Sequence, residues 1–133
     1  DHAYWGPSYT NDYIGNLLKS QKARIEKENC TIESFSDILK LIKMTATEIA
    51  KGKVIGWFQG RMEWGPRALG NRSILCDPRR ADMKDILNLK IKRRESFRPF
   101  APSILSEEVS EWFEQSGDVP FMMQVYKIIK KKK

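Results

Sequence analysis

Residues 60–80 read GRMEWGPRALGNRSILCDPRR. Three glycines (Gly60, Gly65, Gly70) alternate with three arginines (Arg61, Arg67, Arg72) directly after a short apolar run, Val54 to Gln59, that predicts a buried strand. Glycine admits backbone dihedrals that other residues avoid and lets a chain come close to a ligand. Arginine forms forked, charge-assisted bonds to phosphate or carboxylate. A strand followed by such a loop is a candidate anion cradle. Its glycine spacing matches neither the dinucleotide fingerprint nor a Walker loop, since no Gly-Lys-Ser/Thr follows. On spacing alone, a surface loop whose arginines pair with Glu63 is an equal alternative, with Glu63 orienting an arginine rather than acting as a base. Trp57 and Trp64 read as core residues.

Outward from this loop, Ile74 to Cys76 predicts a second short strand and Asp77-Pro78 a turn. Ala81 to Arg93 predicts a helix with Met83, Ile86, Leu87 and Ile91 inward, and Asn88 and Lys92 four apart on another side. Pro99 to Leu105 is a strand candidate starting at a proline. Ser106 is positioned to cap a helix to Ser116, and Phe121 to Ile129 reads as a last strand. Upstream, Tyr4 to Asn11 is an extended lead-in and Asp12 to Glu28 a helix. A further helix starts at Ser34 or Ser36 and stops at Gly52. The order predicts an α/β, or mixed α+β, domain. Its expected core is Trp57, Phe58, Leu75, Ile86, Leu87, Ile91, Phe100 and Ile104.

The chain has 133 residues, enough for one domain, with 41% hydrophobic and 31% charged residues. No apolar run reaches the roughly 20 residues of a membrane helix. Asp1 to Pro7 lacks the basic start and apolar centre of a signal peptide. A reduced, cytoplasmic protein is expected from Cys30 and Cys76, which form neither a metal spacing nor a disulfide framework. His2 is the single histidine, which argues against a histidine-based metal site or catalytic pair. The net charge of +7 is uneven: residues 61–98 and the terminal lysines are basic, the remainder mildly acidic. The second basic stretch, IKRRESFRPFAP at 91–102, brings Lys92, Arg94 and Arg98 to the end of a predicted helix. Read by charge alone, it is a solvated helix end.

Residues 54–105 resemble the C-terminal domain of the nodulation-protein-U and cephalosporin-type O-carbamoyltransferases. The family pattern G-R-x-E-x-G-P-R-A-L-G-N-R-S, then D-P-R, N-x-x-[IV]-K-x-R-E and F-R-P-F-A-P, is matched by Gly60 to Ser73, Asp77 to Arg79, Asn88, Lys92, Arg94, Glu95 and Phe97 to Pro102. That domain is similar to YrdC proteins, whose K-x-R-x-x-x-[KR]-P motif is matched by Lys92, Arg94, Arg98 and Pro99. The resemblance implies a YrdC-like twisted mixed sheet with flanking helices, incomplete here. It divides into a helical lead-in (1–53), a motif-bearing core (54–105), and a helix, strand and basic tail (106–133).

The resemblance further implies that the domain binds ATP, with Mg2+, and carbamoyl phosphate to form a carbamoyl adenylate. Lys92 and Arg94 would be catalytic. Arg61, Glu63, Arg67, Asn71, Arg72, Ser73, Asn88 and Arg98 would bind substrate or nucleotide. A metal-binding N-terminal domain, with iron or another metal, would pass the carbamoyl group to an acceptor hydroxyl. The family's His-x-Asp-Gly and Ser-x-Asn elements have no counterpart here. Residues 1–133 alone are therefore expected to be inactive, with an open sheet edge prone to self-association. The competing reading is a basic nucleic-acid-binding module of YrdC-like fold, suggested by a pI of 9.5. The aromatics are not interleaved with the arginines as in nucleic-acid recognition motifs. All six cations of the two stretches are expected on one concave face.

Overall fold

The computed structural model describes residues 2–130, and the end of the lysine tail lies outside them. The fold is mixed α/β. Thr10 accepts the N–H of Tyr13 and opens α1, Asn11–Ser20. A turn at Gln21 separates it from α2, Lys22–Lys27. The expected single helix is thus interrupted, and neither piece buries a residue, so no tertiary packing holds it straight.

The next helix, α3, spans Ile38–Ala50 and is capped by Asp37, whose Oδ1 accepts the N–H of Leu39 at 2.9 Å, rather than by Ser34 or Ser36. It ends as expected at Gly52. The N–H of Gly52 bonds to Ile49 O and that of Lys53 to Glu48 O, with Gly52 at φ +86°, a Schellman stop.

Strand β1, Ile55–Phe58, pairs antiparallel with β2, Arg72–Leu75, in the register Ile55–Leu75, Gly56–Ile74, Trp57–Ser73 and Phe58–Arg72. The Gly-Arg loop is therefore the connection of a hairpin, and β2 begins two residues earlier than the apolar run suggested. After the hairpin, Asp77 makes the expected turn by accepting the N–H of Arg79 at 3.0 Å. One short α-turn, α4 at Met83–Asp85, then widens into a π-helical segment, Ile86–Ile91.

Two expected strands do not form. Pro99 and Pro102 lack the N–H a ladder needs, and residues 99–105 run without one. Phe121 and Met122 take φ of +68° and +53° in a 3-10 turn, Pro120–Met122, which is incompatible with a strand. What remains of that strand is a single antiparallel bridge, Phe113 to Ile128. The helix expected at 106–116 shortens to a 3-10 turn, Ser106–Glu108, and α5, Val109–Trp112, without a side-chain cap from Ser106.

The core is smaller than expected. Met83, Leu87 and Val109 are the buried apolar residues among those described, so of the eight predicted only Leu87 is buried. Phe58 and Ile91 are exposed, as each lies on an uncovered face of its element. Four polar or charged residues, Thr45, Glu63, Asp77 and Asn88, are as buried as the apolar ones. Two of them organise the candidate site. None of the described helices is long and apolar enough to cross a membrane.

Candidate anion-binding site

The hairpin loop closes around Glu63. Its side chain is fully buried. Oε1 accepts the backbone N–H groups of Leu69 at 2.7 Å, Asn71 at 2.8 Å and Arg72 at 3.2 Å. Oε2 accepts Nε of Arg72 at 3.0 Å. Burial pushes this carboxyl upward, but the N–H bonds, including those from Leu69 and Asn71, and the Arg72 guanidinium outweigh it and hold the carboxyl at about 2. Nη2 of Arg72 reaches the carbonyls of Gly65 and Arg67 at 2.7 and 3.1 Å. Glu63 therefore orients an arginine, as the sequence suggested, and also ties the loop's own amides.

The loop is also strapped to the lead-in. Gly6 N–H donates to Met62 O and Met62 N–H to Pro7 O, both at 2.9 Å. Arg61 donates Nε to Gly6 O at 2.6 Å, and Tyr4 donates its hydroxyl to Leu69 O at 3.2 Å. Asn71 donates Nδ2 to Arg61 O at 2.7 Å across the loop. Gly60, at φ +57°, lies against that amide, where a Cβ would come to 3.4 Å of Nδ2. Ser73 sits in β2 opposite Trp57. Arg67 is exposed, and its guanidinium has no partner among the described residues. Trp64 corrects its core assignment: it is 77 % exposed, because it stands in the loop just before the left-handed turn at Gly65 rather than under the sheet.

The second basic stretch is organised by Asn88, which is fully buried at 0 % exposure. Its Nδ2 donates to the carbonyls of Ser96 and Arg98 at 3.1 and 3.0 Å. Its Oδ1 accepts Nε of Arg94 at 2.7 Å. The π-helical segment ends with the Lys92 N–H bonded to Leu87 O at 2.8 Å, and Arg93 then turns left-handed at φ +48°. This reversal places Lys92 and Arg94 over one ring, Phe100. Nζ of Lys92 lies 5.5 Å and the Arg94 guanidinium carbon 4.7 Å from its centroid. Arg98 is paired with Glu95 at 2.8 Å.

The structure thus makes two groups of the predicted residues. Glu63, Arg61, Asn71 and Arg72 build the hairpin loop beside Arg67 and Ser73. Asn88, Lys92, Arg94 and Arg98 build the second. No hydrogen bond or ion pair among the described residues joins the groups. Sequence reasoning assigned Phe100 to the core and missed it as the platform under both cations. The signal was its place in F-R-P-F, just after the cations. No group of three or more His, Cys, Asp or Glu among the described residues could hold a metal ion.

The family model described as "Carbamoyltransferase C-terminus" matches residues 46–133, which include both groups. The chain is 48% identical over 123 residues to an uncharacterised protein of Synechocystis, covering 92% of this chain and 19% of that one. It is 46% identical over 129 residues to the nodulation protein NolO of Bradyrhizobium diazoefficiens, covering 94% and 22%. It is 45% identical over 75 residues to the 3'-hydroxymethylcephem-O-carbamoyltransferase of Amycolatopsis lactamdurans, covering 56% and 14%. The chain spans about a fifth of the length of the first two relatives. By its family match and its motifs, the chain belongs to the carbamoyltransferase C-terminal family.

Proposed function

We propose that this chain is the part of an O-carbamoyltransferase that binds ATP and carbamoyl phosphate and supports formation of a carbamoyl adenylate. The observation that carries the reading is the pair of cations, Lys92 and Arg94, each packed over the Phe100 ring at 5.5 and 4.7 Å from its centroid, in a family of carbamoyltransferase domains. Both substrates are polyanions, and adenylation develops charge at phosphorus. Cations fixed before the reaction stabilise that charge without reorganising at the barrier. Lys92 offers a compact charge and Arg94 a planar fork, which suits two adjacent oxygens of one phosphate. Arg67 supplies a further free guanidinium on the hairpin loop, whose shape Glu63 and Arg72 maintain.

Glu95, Glu63 and Asp77 do not fit a Mg2+ site. Glu95 is paired with Arg98, Glu63 is saturated by N–H donors, and Asp77 is paired with Arg79. Mg2+ would enter on the ATP phosphates, where it neutralises charge. Transfer to an acceptor hydroxyl belongs to the longer protein and its metal-binding N-terminal domain.

The test is carbamoyl adenylate formation in the longer protein with Lys92→Ala and Arg94→Ala, beside a melting curve. Lys92 is exposed, so its truncation should cost within about 0.5 kcal/mol of stability. Arg94→Ala leaves the buried Oδ1 of Asn88 without its donor and should cost about 1–3 kcal/mol. Both should abolish the adenylate while the protein stays folded. Near-normal product formation in both removes the pair from the site. Preference for an oligonucleotide over ATP, with affinity collapsing as salt rises, would favour the nucleic-acid-binding alternative.

A further inference from the structure

We infer that Asn88 is a positioning residue rather than a ligand: it fixes the Arg94 guanidinium so that only the terminal Nη1–Nη2 edge faces an incoming phosphate. The inference rests on the phosphate-binding reading of Arg94 given above.

Three features lead to it. Asn88 is fully buried, and both ends of its amide are occupied by protein groups, so no polar atom remains for a substrate. It nevertheless touches a residue of the proposed site directly, through the 2.7 Å bond from Arg94 Nε. It also holds the return of the chain, since the carbonyls of Ser96 and Arg98 both accept from its Nδ2 and the Arg94 N–H donates to the Asn88 carbonyl at 2.9 Å.

A guanidinium can meet an oxyanion along its Nε–Nη side or its Nη1–Nη2 end. With Nε committed, the side is closed. No hydrogen bond among the described residues uses Nη1 or Nη2 of Arg94, so the end remains open. The Arg94 guanidinium carbon lies over the Phe100 ring, 4.7 Å from its centroid, which adds a second contact beside Asn88. Lys92 adds a second charge over the same ring. The ligand group this arrangement takes is a phosphate approached end-on by Arg94, with Lys92 beside it. The wide π-helical turn and the left-handed Arg93 make this possible by bringing Arg94 back over the buried Asn88. Such departures from regular helix are often kept where a site needs a side chain re-aimed.

The experiment uses the full chain with ATP as the probe, titrated by calorimetry against wild type, Asn88→Ser, Arg94→Ala, Arg94→Lys and the Asn88→Ser/Arg94→Ala double variant. The Arg94 Nε–H signal is followed in parallel by nitrogen-15 NMR. A protected Nε–H is expected in wild type and lost in Asn88→Ser. Affinity for ATP should fall about tenfold or more in Asn88→Ser and in Arg94→Ala, and the double variant should be no weaker than Arg94→Ala. A merely structural role would make the two losses add. Arg94→Lys tests the point even if Asn88→Ser does not fold. It keeps the charge but has neither Nε nor fork, and should bind as weakly as Arg94→Ala. Wild-type affinity in Arg94→Lys, or additive losses, overturns the inference while leaving the phosphate site in place. Equal affinity in wild type and Arg94→Ala overturns the phosphate reading itself, and the inference with it.

Discussion

Replacing Glu63 with Gln tests the loop that carries the Gly-Arg motif. The residue is 3 % exposed, and its carboxylate receives three backbone N–H groups and one guanidinium N–H. Glutamine keeps one acceptor oxygen but turns an amide N–H2 toward Arg72 Nε, donor against donor. The buried charge pair is broken from one side, which in well-packed sites costs about 3–5 kcal/mol. The glycines of this loop allow partial relaxation, so the lower end applies, about 3 kcal/mol. For a domain of this size that is a fall of roughly 10 °C in melting temperature.

The same group predicts a pH dependence. Its folded value of about 2 lies below the 4.5 of an unperturbed glutamate, so its stabilisation is full above 4.5 and is lost as pH falls toward 2. Glu48 and Asp77 are also held at about 2 and weaken wild type and variant alike. The difference between the two proteins isolates Glu63. It should be largest near pH ~7, shrink steadily below pH ~4.5 and vanish only below pH ~2. Thermal melts followed by circular dichroism across that range make the measurement. A gap that stays constant with pH would show that the carboxylate charge does not hold the loop.

Gly52→Ala should lower stability by about 1 kcal/mol, because φ is +86° and the new Cβ would displace the Arg80 guanidinium that lies over the glycine; a melting curve checks it. Cys30 should react with a thiol reagent at neutral pH well before Cys76, since Cys30 is exposed while burial, and then the charge of Asp77, raises the Cys76 thiol above its ordinary value. Equal labelling rates would contradict the structure there. Asp77→Asn should lower the melting temperature and flatten part of the acid response, because Arg79, forked on that carboxylate at 2.8 and 2.6 Å, holds it low. Sizing chromatography should show self-association that rises with concentration, as neither strand of the two-stranded sheet has a second partner strand among the described residues; a monomer at all concentrations would count against it.

Where local chemistry dictates structure, the sequence was readable. Gly52 as a helix stop, Asp77-Pro78 as a turn, the strand at 55–58 and Glu63 as the partner of an arginine all follow from residue types that have few alternatives. The failures share a cause. Residues 99–105 and 121–129 look apolar enough for strands, yet a strand requires a partner and free N–H groups. Two prolines and two left-handed residues remove these. The expected core failed for a related reason: apolar periodicity says which face would be buried, not what covers it. Trp64, Phe58 and Ile91 all remain exposed. Phe100 was misread because its apolar neighbours Pro99, Ala101 and Pro102 suggested a core ring, while the mark that it lies under two cations was its place in F-R-P-F just after them.

A motif dense in cations invites the reading that each cation meets a ligand, and the structure divides that labour. Arg61 is committed to the Gly6 carbonyl, Arg72 to Glu63 and two carbonyls, and Arg98 to Glu95. These contacts hold loops together. The guanidinium of Arg67, the ammonium of Lys92 and the Nη1–Nη2 edge of Arg94 make no hydrogen bond or ion pair among the described residues, which leaves them as the proposed anion contacts. Each group is built on a buried polar residue, Glu63 in one and Asn88 in the other, that satisfies backbone and side-chain groups at once. A buried polar residue of this kind is costly unless every bond is made, which confines its neighbours to one arrangement. The two groups therefore differ in what their loss should do. Changing Glu63 or Arg72 should unsettle the loop and reach the ligand indirectly, through stability. Changing Lys92 or Arg67 should reach the ligand with the fold unaltered. Measuring melting temperature and ATP affinity together for these four positions separates the classes, and a strong stability loss at Lys92 with unchanged affinity would reverse the assignment.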